Sequence, residues 1–91
     1  MPNMSWRFKN LDRRAQNAVH YHFLNHQETH LVPLVDLRTG NEIDGFPNSV
    51  IKSSEIDEAT ARNILDALEI NHQGYNGDSV RELVRFHVYY A

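Results

Sequence analysis

The sequence predicts an α+β fold, a single small domain with two helices packed on a short, mostly antiparallel sheet. Three observations carry that reading. Stretches 11–25 and 55–70 repeat apolar residues at the helical interval. Stretches 31–37 and 84–90 are short and rich in apolar, β-branched or aromatic residues, as strands are. Glycine, proline and asparagine mark turns between them at 38–41, 45–48 and 71–77. The 91 residues suit one domain spanning 1–91, and 24 of them are Leu, Ile, Val or Phe, too many for a disordered chain.

Each element has its own justification. Residues 1–9 read as a short N-terminal arm or strand, because Trp6 and Phe8 alternate with Arg7 and Lys9. Asn10 is the expected N-cap of the first helix. Leu11, Ala15, Ala18, Val19, His22 and Phe23 then form one stripe expected to face the core. Segment 18–24 also alternates like a strand, but the absence of Gly and Pro from 11–25 favours the helix. LVPLVDL at 31–37 is a strand, and Pro33, which has no N–H, places it at an edge. Gly40 or Asn41 takes positive φ in the turn, 42–46 returns as a second strand, and 49–52 extends the pairing. The second helix starts at a Ser54 cap and turns Ile56, Ala59, Ile64, Ala67 and Leu68 inward. Ser79 and Glu82 form a capping box for a helical turn at 79–83, followed by a strand at 84–90.

Composition excludes several classes of protein. Without cysteine there is no disulfide framework, no cysteine-bearing zinc finger and no thiol nucleophile. No apolar run approaches the roughly 20 residues of a membrane span, and the N-terminus lacks the apolar core of a signal peptide. The expectation is therefore a cytoplasmic protein without a membrane partner. The net charge of −3 conceals an asymmetry, since residues 1–35 sum to +2 and residues 36–82 to −6. Only the N-terminal part is suited to anions. Seven of the nine basic residues are Arg, the cation favoured at interfaces.

Candidate chemistry concentrates in the same N-terminal third. His20, His22, His26 and His30 cluster, and His22 with His26 on a helix, or His20 with His22 on a strand, would chelate one metal ion. Glu28, His30 or His87 is the further ligand such a site needs, so this is a metal-binding or enzyme alternative rather than an assigned site. The six histidines would also carry the charge from −3 toward +3 on mild acidification, a possible pH response. No serine stands in a GxSxG elbow and no glycine run matches a phosphate loop, so the sequence leans away from an enzyme and calls for no cofactor. Trp6 and Phe8 interleaved with Arg7, Arg13 and Arg14 have the chemistry of a single-stranded nucleic-acid ligand site. The preferred expectation is a small non-enzymatic binding module, an inhibitor, adaptor or assembly subunit, that contacts another protein or a second copy of itself. Trp6, Arg7, Phe8, Arg13 and Arg14 are its expected binding residues, and nucleic acid is the alternative partner.

Overall fold

The computed structural model describes residues 4–21 and 30–90, with Tyr90 described in its backbone only. Among the described residues four α-helices follow one another: α1 (Met4–Val19), α2 (Val50–Ser53), α3 (Glu58–Ala67) and α4 (Gly77–Arg85). A wider, π-type turn carries α4 on through Phe86–Tyr90.

These elements overturn the α+β expectation. Among the described residues there is no sheet, and strand-like pairing is confined to two antiparallel bridges, His30 with Ser49 and Val35 with Glu42. The expected arm at 1–9 is, from Met4 onward, the first turns of α1, and Asn10 is an interior helical residue instead of a cap. No Gly or Pro interrupts Met4–Val19, and Arg, Lys, Leu, Gln and Ala propagate a helix well. The expected strand at 84–90 is also helical. Its Val84 and Val88 continue a four-residue spacing from Val80, and all three are fully buried. That spacing, not the local alternation, governs the segment.

Caps set the remaining boundaries. Asp57, not Ser54, starts α3 by accepting the Thr60 N–H at Oδ1 (2.7 Å). Asn76, not Ser79, starts α4 by accepting the Ser79 N–H (2.8 Å). At its other end α3 closes in a Schellman arrangement, in which Ile70 N–H reaches the Leu65 carbonyl and Glu69 N–H the Asp66 carbonyl. The residue at the left-handed position is Glu69, φ 58°, where glycine is usual.

One apolar cluster joins Leu31, Leu34 and Ile43 of the central loops to Ala61, Ile64, Leu65, Ala67 and Leu68 at α3, and to Val80, Val84, Val88 and Tyr89. Ile64, Ala67 and Leu68 face inward as expected, whereas Ala59 is exposed. Tyr89 is a hub. Its ring stacks on Tyr21 with centroids 4.5 Å apart, and its hydroxyl accepts from Arg85 Nε (2.7 Å) and lies 3.3 Å from Ser53 Oγ.

α1 contributes no side chain to that buried cluster. Its buried residues are Asn10 and Asn17. Of the stripe expected to face the core, Leu11 (59%), Ala15 and Val19 (53%) are exposed and Ala18 is half-buried, while His22 and Phe23 lie outside the described residues. The reason lies in the neighbour. Residues 31–37 run extended beside α1, and their backbone N–H and C=O groups need partners. On one edge, Leu31 N–H and Asp36 N–H donate to the carbonyls of Asn48 and Asn41, and Leu34 C=O accepts from Ile43. On the other edge, the side-chain amides of α1 take the place of a second strand. Asn17 accepts from Val32 N–H (2.6 Å) and donates to Val32 C=O (3.0 Å). Asn10 does the same for Val35 at 2.7 and 2.9 Å. Arg13 donates to the Pro33 carbonyl between them. The spacing is commensurate: seven residues of helix rise about 10.5 Å, and three extended residues span about 10 Å. Two amides two turns apart thus meet two peptide units three residues apart.

Candidate protein-contact surface

With the polar face of α1 engaged inward, its opposite face is an apolar stripe. Met4, Phe8, Leu11, Ala15 and Val19 fall within an arc of about 80° at 100° per residue. Met4 is 42% and Phe8 64% exposed, and Ala15 is exposed as well. Asp12, Lys9 and Gln16 border the stripe, and Gln16 donates to Asp12 Oδ2 (2.9 Å).

A second apolar surface adjoins the first. Tyr75, Leu83 and Phe86, with Asp78, Ser79 and Glu82, line a groove of about 520 Å³ along α4. Tyr75 and Phe86 are half exposed. The carboxylates at its edge have partners, since Asp78 pairs with Arg81 and Glu82 with Arg85. His87 connects the two surfaces. It lies edge-on to Phe86 with centroids 5.2 Å apart and shares a cleft of about 200 Å³ with Leu11. Burial, and then the nearby Arg14 guanidinium, push the His87 imidazole below its ordinary pKa.

The expected binding residues are spread over different tasks. Trp6 packs its indole on Gly40, where a Cβ would come within 2.6 Å of the ring, so this aromatic ties α1 to the 38–41 turn. Gly40 takes the expected positive φ, 80°. Arg7 pairs with the Glu69 carboxylate. Arg13 donates to Pro33 C=O and stands 3.6 Å from Glu42. Arg14 donates through Nε to the His87 carbonyl, and burial lowers its pKa. Phe8 is the member of the set that stands clear of the fold. The three arginines thus hold α1 in place.

Of the candidate metal ligands, His22 and His26 lie outside the described residues. His20 directs Nδ1 to the His30 carbonyl at 3.3 Å. Among the described residues no group of three His, Asp or Glu is disposed to hold a metal ion. His72 has both ring nitrogens engaged: Arg62 Nη1 lies 3.0 Å from Nδ1, and Nε2 meets Asp66 Oδ1 at 2.7 Å. The guanidinium can only donate, so Nδ1 accepts and Nε2 carries the proton. That arrangement pins the loop after α3 and leaves neither nitrogen free for proton transfer.

Sequence reasoning missed Asn10 and Asn17 as docking residues, and with them the outward direction of the stripe. The signal was available as two asparagines seven apart, flanking an Arg pair and followed by a short apolar segment. Among the described residues no helix is long and apolar enough to cross a membrane. Compared with protein-family models, with curated proteins and with solved structures, the chain matches none.

Proposed function

We propose that the protein is a small non-enzymatic binding module that acts through protein–protein contact, with the outward face of α1 as its contact surface. One observation carries the reading: a helix that gives its own core no apolar side chain exposes four large ones, Met4, Phe8, Leu11 and Val19, along one side. Single exposed apolar residues are ordinary, but an aligned patch of them is characteristic of interaction sites. Phe8 on α1, and Tyr75 and Phe86 at the α4 groove, are exposed aromatics, the residue class enriched at interfaces. The alternative of a nucleic-acid ligand has less support, because Arg7, Arg13 and Arg14 are already bonded within the fold.

The test is the double substitution Phe8→Glu with Leu11→Glu. Both side chains are exposed, so the melting temperature should stay near that of the parent. Parent and variant are immobilised, and the proteins retained from an extract of the source cells are identified by mass spectrometry. A partner held by the parent and lost by the variant supports the contact surface. Equal retention by both, or a variant that melts many degrees lower, overturns it.

A further inference from the structure

We propose that the cleft between α1 and the turn after α4 binds a small organic carboxylate, held by Arg14 and His87 together with Arg7. The site goes beyond the contact surface and shares only Leu11 with it. Of the seven arginines in the chain, six pair with a carboxylate. Arg14 is the seventh, and among the described residues no carboxylate pairs with it. Its side chain is half-buried and engages through Nε alone, on the His87 carbonyl. A guanidinium carries five N–H donors, and a cation drawn out of water is costly until an anion faces it.

The surroundings of Arg14 add to this positive character. It shares the cleft of about 200 Å³ with Arg7 and His87, and no Asp or Glu lines it. Arg7 and Arg14 are seven residues apart, so they project from one side of α1, about 10.5 Å apart along its axis. Glu69 offsets the Arg7 charge. The cleft therefore keeps the Arg14 charge alone while His87 is neutral, and gains a second when His87 protonates. The half-buried His87 ring makes no hydrogen bond among the described residues, and its ring contact is with Phe86. The charged groups about it are Arg7 and Arg14 on α1 and the Glu69 that follows α3, while segment 31–37 supplies only Leu37.

The walls select the class of anion. Leu11, Leu37, Leu68 and Ile70 complete the lining, so a phosphate would trade hydration for hydrocarbon. A carboxylate is planar like the guanidinium fork, carries a single charge to desolvate and can lay an apolar body on those walls. The cleft has the volume of about seven waters at about 30 Å³ each, below the roughly 300 Å³ at which drug-sized pockets begin. Its occupant is therefore of the size of a short-chain or single-ring acid, with an expected dissociation constant on the order of a millimolar. His87 links binding to pH. Burial and Arg14 lower its pKa, whereas a bound carboxylate favours the imidazolium. By linkage the anion raises the His87 pKa and binds more tightly as pH falls through it.

Benzoate is the probe, followed by NMR of the isotope-labelled full chain. At about pH 5.5 it should shift the His87 ring signals and the amides around Arg14 and His87, with a midpoint on the order of a millimolar. At about pH 7.5 its affinity should be about three- to tenfold lower, and saturating benzoate should raise the titration midpoint of His87. His87→Gln should remove the pH dependence. Arg14→Gln should weaken binding about tenfold, and Arg14→Lys should recover part of the loss. Phe8→Glu, outside the cleft, should bind benzoate as the parent does, which separates this site from the contact surface. Benzamide, of the same shape without the charge, should leave these signals in place. Equal shifts from benzamide and benzoate, or a His87 midpoint unmoved by saturating benzoate, overturn the anion site. Both comparisons use the parent protein, so they decide even where Arg14→Gln fails to fold. Tighter binding of inorganic phosphate than of benzoate overturns the carboxylate assignment. Tighter binding of a peptide ending in a free Phe carboxylate overturns the small molecule as occupant.

Discussion

α1 and α3 belong to one small fold and bury opposite chemistry. α3 follows the familiar rule, turning Ala61, Ile64, Leu65 and Ala67 inward against the apolar side of α4. α1 turns Asn10 and Asn17 inward and leaves Leu11 in solvent. The difference lies in what each helix meets. α3 meets side chains, for which contact area removed from water is the favourable term. α1 meets the open edge of an extended backbone, where an apolar residue would strand buried N–H and C=O groups at about 1–3 kcal/mol each. An amide has one donor and one acceptor side, the same pair that a peptide unit presents. Burial of asparagine here is the low-energy choice, and among the described residues no buried side-chain polar atom lacks a hydrogen bond.

The sharpest way to break this comparison is to truncate leucine on both helices. Leu65→Ala, at a fully buried α3 site, should cost about 2–5 kcal/mol, read as a loss of midpoint in urea unfolding. Asn17→Ala should come next, at about 2–4 kcal/mol, because Val32 N–H and C=O lose their partner and Val88 C=O loses its longer contact at 3.4 Å. Asn17→Asp should recover only part of this, since a carboxylate accepts from Val32 N–H but repels its carbonyl. An Asn17 variant as stable as the parent would sink the account of α1 docking.

A weaker effect is expected from pH. The folded His87 imidazole has a pKa below its unfolded value of about 6.5, so the unfolded chain binds the proton first on acidification. The associated stability is fully present above about pH 6.5 and is lost as pH falls through the folded value. Denaturation midpoints should therefore decline from pH 7 to pH 5, and His87→Gln should flatten that part of the profile. Smallest of all is Leu11→Ala, which should change stability by no more than about 0.5 kcal/mol because the side chain is 59% exposed. Leu11→Ala as costly as Leu65→Ala would place the stripe in the core after all.

The same contrast explains what the sequence revealed. The core positions Ile64, Ala67 and Leu68 were legible because α3 packs on side chains, and periodicity reports that kind of burial. On α1 the identical logic pointed the stripe inward, since a pattern of apolar residues shows which side is greasy but not what lies against the other. Segment 31–37 was read as an edge strand of a sheet, but it meets 41–49 at few points without forming one and gives its second edge to asparagines. The last segment held two periods at once. Val84, Phe86, Val88 and Tyr90 alternate as in a strand, while Val80, Val84 and Val88 recur every fourth residue, and packing on α3 selects the latter. Trp6, Arg13 and Arg14 were singled out as binding residues, but their partners within the fold, in the 33–40 region and at residue 87, were beyond local pattern.

The pairing of Asn10 with Val35 and Asn17 with Val32 also fixes how the chain can vary in length. A helix and an extended segment rise by different steps, and they agree here because seven steps of one match three of the other. Adding or removing one residue between positions 10 and 17 swings one amide about 100° around the helix and away from its peptide. A one-residue change between 32 and 35 breaks the three-residue repeat that turns both peptide units toward α1. Neither error can be absorbed by relaxation, so these two intervals should admit substitutions far more readily than insertions. At Gly74, where an added Cβ would meet nothing within 4 Å, an extra residue should cost no more than the surface contacts that tie His72 and Tyr75 to Arg62.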